Sequence, residues 1–226
     1  MRCARPFTGI LAATALILLS GGPFAAAFAQ STGWDENVQG DLSNDRFAPT
    51  RIVLGLGAPG VNGLTGNNIV TGRTGRAGSV IDRDYFTAVV PAGLVLTEVR
   101  LGNQATVGGN GSFLGMAFGA VMPVAPDAAN AVGLAGALVY GTAMRGTDIL
   151  DDLGAGWNGA SGFARPLGAG EYTFWVQETA PGSFTHRFNL VVSPVPAPTA
   201  VWLFLAGLPL LGWARARALS ASVTQA

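Results

Sequence analysis

Three groups of aspartates have the residue type and spacing to bind a cation. Asp41 lies near Asp45, Asp82 lies near Asp84, and a third group falls between residues 148 and 152. Calcium takes several oxygen ligands, often from loop aspartates, but such aspartates equally cap turns and keep loops hydrated. No group has the spacing of an EF-hand or of a calcium-binding repeat. If calcium binds, Asp82 and Asp84 are the best candidate ligands, and no other cofactor is predicted.

His186 is the single histidine of the chain. A histidine that acts as a general base needs a nucleophile and an orienting group beside it. The sequence has no Gly-x-Ser-x-Gly motif, and its one cysteine, Cys3, lies in a leader-like segment. We therefore interpret His186 as a solvent-facing strand residue and expect a non-enzymatic protein. The alternative is a secreted carbohydrate-active enzyme, which would place two carboxyl groups about 5–10 Å apart across a cleft.

Trp157 lies in the sequence Gly-Trp-Asn-Gly at residues 156–159. If exposed, its indole could stack on the face of a sugar, or it could instead plug the end of the β-sandwich. The first interpretation predicts polysaccharide as a partner. It also leaves a calcium-dependent carbohydrate-binding module as a further alternative, since a calcium site is one of the open hypotheses.

The composition restricts the classes of partner. Of 226 residues, 33 are glycine, and charged residues make up 12%, about half of the usual share. All the basic residues are arginine, and their number equals that of the acidic residues. A nucleic-acid-binding protein needs a basic excess, so nucleic acid is not expected as a partner.

The elements that would position these residues are predicted to be short β-strands. Apolar and polar residues alternate in bursts separated by Gly, Pro, Asn and Asp, which is typical of an antiparallel all-β domain. The fold predicted is a jelly-roll-like β-sandwich, with a barrel as second choice. The candidate strands are 51–56, 68–71, 85–90, 94–101, 112–122, 134–140, 171–178 and 184–192.

The clearest predicted strand contains Tyr172, Phe174 and Val176, which share one face. Pro91-Ala92-Gly93 predicts a tight turn between two strands, because proline fixes φ and glycine accepts a positive φ. The Gly/Ala-rich stretch 103–165 is harder to interpret. Its glycines would weaken helices by about 1 kcal/mol each, so buried strands are expected there, and its role stays open.

The amino end is typical of a cleaved secretory signal. Basic residues precede a short apolar run from Phe7 to Leu19, and the small-residue stretch that follows ends in Ala27, Phe28 and Ala29 before Gln30. This order predicts export and cleavage between Ala29 and Gln30.

The carboxyl end has the character of a membrane segment. The run from Thr199 to Ala214 carries no charge, and as a helix it would be about 24 Å long, against a hydrocarbon core of about 30 Å. Trp202 lies near one end of this run, where indoles favour the membrane interface. Arg215 and Arg217 follow it, and the positive-inside rule keeps them in the cytoplasm.

The residues Val195, Pro196, Ala197 and Pro198, followed by the apolar run with Trp202 and the arginines, resemble the PEP-CTERM sorting tail. Ala197 stands where that tail usually has glutamate. The resemblance implies a Gram-negative bacterium, transient insertion in its inner membrane, and cleavage near the proline motif by an exosortase-type membrane protease. It also implies a final place at the cell surface or in the exopolysaccharide and biofilm matrix. A plain C-terminal anchor is the alternative.

A second resemblance concerns the region between the two ends. Asn68 to Gly72, Asp82 to Thr87, Val90 to Gly93 and Gly168 to Tyr172 are similar to segments of the bacterial pre-peptidase C-terminal type of β-sandwich. Such modules accompany secreted enzymes and serve binding or secretion. The resemblance implies the fold class more than a ligand, and residues 103–165 have no counterpart in it.

These features divide the chain into four parts. Residues 1–29 form the predicted signal peptide, and 30–193 form one β-sandwich ectodomain. Residues 194–218 contain the proline motif and the transmembrane sorting tail, and 219–226 form a short cytoplasmic end. The function expected is that of an exported surface or matrix protein with a structural or adhesive role.

Overall fold

A computed structural model describes residues 33–56, 67–109 and 111–195. The predicted signal cleavage site at Ala27, Ala29 and Gln30 lies outside the described residues. So does the sorting tail beyond Val195, with Pro196, Ala197, Pro198, Trp202, Arg215 and Arg217. Within the described ranges, the helices are too short and too polar for any of them to cross a bilayer.

The described residues form nine strands, two short α-helices and two 3-10 turns. The 3-10 turns are Thr142–Met144 and Trp157–Gly159. The strands and helices, in chain order, are β1 Trp34–Asp35, α1 Glu36–Gln39, β2 Thr50–Val53, β3 Asn67–Ala77, β4 Val80–Val90, β5 Leu94–Leu101, β6 Ser112–Phe118, β7 Gly136–Tyr140, α2 Leu150–Gly154, β8 Gly170–Gln177 and β9 Gly182–Pro194.

The strands make one curled, mostly antiparallel sheet in the order β5-β9-β3-β4-β8-β6-β7. Strand β1 pairs in parallel with β3, and β2 pairs in parallel with β4. We call the strands β1, β3, β5 and β9 arm A, and the strands β2, β4, β6, β7 and β8 arm B. The all-β prediction is therefore confirmed.

The sheet curls at the β3–β4 hairpin. The two strands pair only from Gly75–Asp82 to Ala77–Val80, and Gly78 between them takes a φ of 62° that favours glycine. Beyond this short ladder, β3 continues beside β9 and β4 continues beside β8. The two arms therefore separate from a common hinge, and a space between them is available for the core.

The main core lies between the arms and follows the period of two that each strand imposes. Strand β4 contributes Phe86, Ala88 and Val90 to it, while Phe188 of β9 and Tyr140 of β7 reach it from different arms. The rings of Tyr140 and Phe188 meet edge to face, with centroids 5.7 Å apart. Residues of both arms thus bury apolar area against each other.

A second apolar cluster covers the outer face of arm B. Tyr85 and Trp175 point outward from β4 and β8 and are buried by Met122 and Leu134 from the segment between β6 and β7. The Arg46 guanidinium donates a hydrogen bond of 2.9 Å to the Met122 carbonyl, which helps to hold this segment in place. We call residues 119–135, between β6 and β7, the cover segment, because they cover this face of the sheet.

The predicted strands lie where the structure has strands, but most of them differ from the observed strands in length. Every candidate strand overlaps an observed one, and Leu94–Leu101 matches in full. The predicted strand 112–122 ends at Phe118, because Gly119 turns the chain with a φ of 98°. The predicted strand 134–140 begins only at Gly136. The predicted turn at Pro91 is present, with the Leu94 amide donating to the Pro91 carbonyl at 3.1 Å.

Candidate functional site

Two strands place ionisable side chains in the apolar space between the arms. Asp84 precedes Phe86, Ala88 and Val90 on the inward face of β4, and His186 precedes Phe188 on the inward face of β9. Asp84 is 0% exposed and His186 is 1% exposed. Both therefore stand at the end of the core where the arms separate.

The N-terminal segment brings the carboxylates of Glu36 and Asp41 to this end of the core. Asp35 caps α1 by accepting a hydrogen bond from the Asn37 amide at 3.0 Å. Glu36 follows, and its carboxylate accepts hydrogen bonds from the backbone amides of Leu42 at 3.2 Å and Arg73 at 2.8 Å. Since Arg73 belongs to β3, these bonds fasten the N-terminal segment to arm A and fix the direction of the Glu36 carboxylate.

Glu36, Asp41 and Asp84 form a compact group that we call the acidic cluster. One carboxylate oxygen from each lies within 4.8 Å of the others. Gly72 faces His186 across the β3–β9 ladder. A Cβ atom at residue 72 would lie 2.6 Å from Glu36 Oε1 and 2.7 Å from His186 Nε2. Glycine is therefore required for the glutamate and the histidine to approach each other here.

Burial changes the protonation of these groups. Together with the negative charges of Glu36, Asp82 and Asp41, it raises the pKa of Asp84 to about 9. Burial also raises the pKa of Glu36 to about 7, against the lowering effect of the two backbone hydrogen bonds. Burial lowers the pKa of His186 to about 3. His186 Nδ1 lies 3.4 Å from Asp84 Oδ2, and both shifts favour the neutral forms, so the contact is not an ion pair.

The interpretation of His186 as solvent-facing is wrong. Alternate residues of β9 face the core, among them Phe188, Leu190 and Val192. The His186 side chain belongs to the same row and therefore also points into the core. The imidazole stacks on Phe188 with centroids 5.5 Å apart. The alternation was visible in the sequence, and it places Asp84 inward by the same rule.

The structure places the two predicted calcium ligands, Asp82 and Asp84, differently. Asp84 belongs to the acidic cluster, whereas Asp82 stands beside it and outside the group of converging oxygens. Burial and the charge of Asp41 raise the pKa of Asp82. Calcium at Asp82 and Asp84 stays a prediction. Glu36 and Asp41 were missed as partners of Asp84, because they precede it by more than forty residues and no local pattern connects them.

The other aspartates have structural partners. Asp45 accepts a hydrogen bond from the Phe47 amide at 2.9 Å and so caps a turn. Asp148 accepts hydrogen bonds from the amides of Val99 and Leu150 and forms an ion pair with Arg165. Asp151 pairs with the same guanidinium at 2.6 Å. These contacts agree with the alternative that such aspartates organise loops.

The 3-10 turn at Trp157 forms one wall of a surface groove of about 210 Å³. Gly156 and Asn158 take positive φ values of 77° and 54°, which turn the indole outward, and 47% of Trp157 is exposed. The Ala131 amide donates to the Asn158 carbonyl at 2.9 Å, which ties the turn to the cover segment. Trp157 therefore stands at the rim of the groove and does not plug the domain.

Aromatic rings and amides make up much of the groove. Trp175 and Phe113 form part of its lining, with ring centroids 4.7 Å apart in an edge-to-face contact. Gln177 accepts a hydrogen bond from Arg83 Nε at 2.7 Å, which orients its amide. The full lining is Phe113, Pro126, Ala128, Asn130, Ala131, Leu134, Trp157, Asn158, Trp175 and Gln177. Among these residues none is charged.

The acidic cluster and the groove lie on opposite faces of arm B. Asp84 of β4 points toward the core, while Trp175 of β8 belongs to the outer apolar cluster. Asp84 is paired in register with Val176, the neighbour of Trp175. The two sites therefore lie on opposite faces of the β4–β8 strand pair.

Val195 is the one residue of the sorting motif that the structure describes. Its amide donates to the Gly93 carbonyl at 2.9 Å, directly after β9 ends at Pro194. The side chain is half exposed. The last strand of arm A therefore leads straight into the proline motif.

Comparisons with known proteins give no relative for this chain. No family model matches it, and no curated protein or solved structure matches it significantly.

Proposed function

We propose that this protein is an exported surface or extracellular-matrix protein that binds polysaccharide in the groove beside Trp157. The observation that carries the proposal is the lining of that groove. Three aromatic rings stand beside the amides of Asn130, Asn158 and Gln177, with no charged side chain among the lining residues. Aromatic faces stack on sugar rings, and amides exchange hydrogen bonds with hydroxyl groups. An uncharged lining favours a neutral polysaccharide.

The proposed place of action rests on the two ends of the chain. The signal-like residues 1–29 predict export, and the tail from Val195 to Arg217 resembles the PEP-CTERM signal read by an exosortase-type protease. The arrangement of β3 supports this proposal. β1 begins and β9 ends beside the first residues of β3, since Trp34 pairs with Val70 and Val191 pairs with Asn67. The first and last described strands thus start and end, respectively, on one side of arm A, and the proposed tether to the inner membrane of a Gram-negative bacterium follows from that side.

We also propose that the curled sheet is a jelly-roll-like β-sandwich, with arm A facing arm B. The main core supports this assignment, because residues of both arms pack into one cluster. The short β3–β4 ladder supports it as well, since the strands lose contact after three residue pairs.

A binding role is favoured over catalysis by the chemistry of the groove. A glycosidase acts through two carboxyl groups placed across the sugar-binding cleft, and the described residues that line this groove include neither aspartate nor glutamate. Of the acidic cluster, Glu36 lines a cavity of about 30 Å³ beside Gly72. That volume is close to the space of one water molecule and is too small for a sugar ring.

The proposal is tested by affinity electrophoresis of the full-length protein, purified in detergent. The gels contain exopolysaccharide extracted from the producing bacterium, or hydroxyethyl cellulose as a neutral reference. We expect retardation of the wild type and a roughly tenfold weaker affinity for Trp157→Ala, from the loss of about 1.4 kcal/mol of stacking. The control is Phe47→Ala, since Phe47 is an exposed aromatic residue outside the groove. Unchanged mobility of the wild type in every gel would contradict the proposal.

A calcium-dependent carbohydrate-binding module is the second candidate, favoured by the acidic cluster. The two candidates differ in their response to a chelator. If calcium contacts the polysaccharide, a chelator abolishes retardation. If the groove acts alone, retardation persists, because Asp84 and Trp175 face opposite sides of arm B.

A further inference from the structure

We infer that Glu36, Asp41 and Asp84 bind one divalent cation of the calcium class, and that His186 positions Asp84 for it. The site would connect the N-terminal segment, which carries Glu36 and Asp41, to β4 of arm B and β9 of arm A. This inference is independent of polysaccharide binding.

The first observation is the convergence of three carboxyl groups with no arginine paired to them in the described part of the chain. The three carboxylate oxygens lie within 4.8 Å of one another. Among the described residues, no arginine forms an ion pair with any of the three, although other carboxylates of the chain have such partners. Ionised carboxylates at this separation repel one another strongly in a desolvated site. A bound cation removes the repulsion.

The second observation concerns buried polar atoms, including those of His186, which lies outside the acidic cluster. Neither oxygen of Asp84 and neither nitrogen of His186 has a hydrogen-bond partner within the described part of the chain, and both side chains are almost fully buried. Burying polar atoms without partners costs about 1–3 kcal/mol each, and native proteins rarely tolerate several together. An ion bound by Asp84, with the His186 Nδ1–H directed at the same carboxylate, would give partners to the carboxylate and to Nδ1.

The spacing of the oxygens suits calcium. Two oxygens that each bind one calcium ion at about 2.4 Å lie at most about 4.8 Å apart, and the acidic cluster meets this limit. Calcium prefers oxygen ligands, and the converging atoms are all carboxylate oxygens. His186 Nδ1 stands 3.4 Å from Asp84 Oδ2. Histidines and other polar groups in this position orient metal-binding carboxylates.

The backbone prepares the site for the ion. The amides of Leu42 and Arg73 hold the Glu36 carboxylate from two directions. Gly72 leaves room for Glu36 and His186 to stand close together. Because the ligands come from different elements, ion binding would fasten the N-terminal segment over the core beside the β3–β4 hairpin.

The test is calcium binding by the full-length protein, purified in detergent and stripped with a chelator. Isothermal titration with CaCl₂ should show saturable binding of one ion per chain, and the melting temperature should rise. Asp84→Asn and Glu36→Gln should abolish both effects. Asp127→Asn is the matched control, since Asp127 is exposed and outside the acidic cluster, and it should bind as the wild type does.

A folding defect can be separated from a binding defect. Asp41 is the exposed member of the acidic cluster, so Asp41→Asn should keep the wild-type circular dichroism spectrum and still lose at least tenfold in calcium affinity. The inference is overturned if the wild type shows no saturable calcium binding. It is also overturned if Asp84→Asn and Asp41→Asn bind like the wild type, if Asp127→Asn loses binding equally, or if zinc binds more tightly than calcium.

Discussion

Asp84 and His186 show how a residue's place in a strand determines its chemistry. Each occupies an inward position of an alternating strand, two residues before the first large aromatic side chain of the core. Water is excluded from both, so the charged form of each is disfavoured. A carboxyl group with a raised pKa and an imidazole with a lowered pKa therefore stand in contact without exchanging a proton.

Because Asp84 is buried, we expect the stability of the cation-free protein to depend on pH. The pKa of Asp84 is raised from its ordinary value of 3.8 to about 9. Between these values the folded protein holds a proton that the unfolded chain has lost, so the free energy of unfolding falls as pH rises through this range. His186 acts in the opposite sense and only below its ordinary value of 6.5, because its folded-state pKa is about 3.

Measurements between about pH 7 and about pH 9 therefore isolate Asp84, since Glu36 titrates near 7. The ionisable groups facing Asp84 are Glu36, Asp41, Asp82 and His186. With a chelator present, we expect urea unfolding to show a loss of up to about 1.4 kcal/mol per pH unit. Asp84→Asn should flatten this slope. A wild-type slope of zero would show that Asp84 is ionised in the folded protein.

At the scale of the elements, the β3–β9 ladder depends on a residue without a side chain. Gly72 lies opposite His186 and beneath the Glu36 carboxylate. Its backbone is not in the left-handed region, so the requirement for glycine comes from space alone. This ladder therefore determines how closely the N-terminal segment can approach arm A.

We expect Gly72→Ala to destabilise the protein by about 1–3 kcal/mol, which is the usual cost of overpacking. The new methyl group would have to displace Glu36 or His186, from which it would lie about 2.6 Å. The control is Gly141→Ala, where no atom lies within 4 Å of the added Cβ. Denaturant unfolding of the two variants measures the difference. Equal stability of both would mean that the backbone shifts freely to accommodate the methyl group.

The cover segment between β6 and β7 shows how an element without regular structure creates a surface. It buries Tyr85 and Trp175 on the outer face of arm B and then meets the Trp157 turn through Ala131. The groove exists because these two pieces of chain stop short of covering Phe113 completely. A strand in the same place would have paired with the sheet edge and left no groove.

At the scale of the whole molecule, the curled sheet supports two sites on the two faces of one strand pair. The inner face carries the acidic cluster and the outer face carries the groove. The first described strand, β1, begins at the end of arm A where β3 begins, and the last described strand, β9, ends there. The proposed tether and the proposed polysaccharide groove thus belong to different arms, which would leave the groove accessible while the tail is in the membrane.

The proposed sorting step predicts a defined product. In a Gram-negative host with an exosortase, the protein released at the surface should have an intact mass that ends near Pro196. A double variant, Pro196→Ala with Pro198→Ala, should stay full-length in the membrane fraction, because the alternating prolines that hold the chain extended are lost. Pro209→Ala is the control and should be processed. A released wild-type product that still contains Arg217 would contradict the proposal.

Much of the fold could be predicted from the sequence, because the alternation of apolar and polar residues is a local property of each strand. The strand through Tyr172, Phe174 and Val176 is the clearest case, and all three side chains lie in the core as predicted. Lengths were harder to predict. Glycines inside apolar runs, such as Gly119, end a strand or continue it according to tertiary contacts that local sequence does not contain.

The sequence by itself determined the all-β class, the places of the strands and the turn at Pro91, since each depends on neighbouring residues. Only the tertiary structure decided that Glu36 meets Asp84 and His186, because β3 pairs both with β4 and, across more than a hundred residues, with β9. It also decided that Trp157 borders a groove, through its contact with the cover segment. Burial supplies the chemistry of the acidic cluster, and burial is a property of the folded chain as a whole.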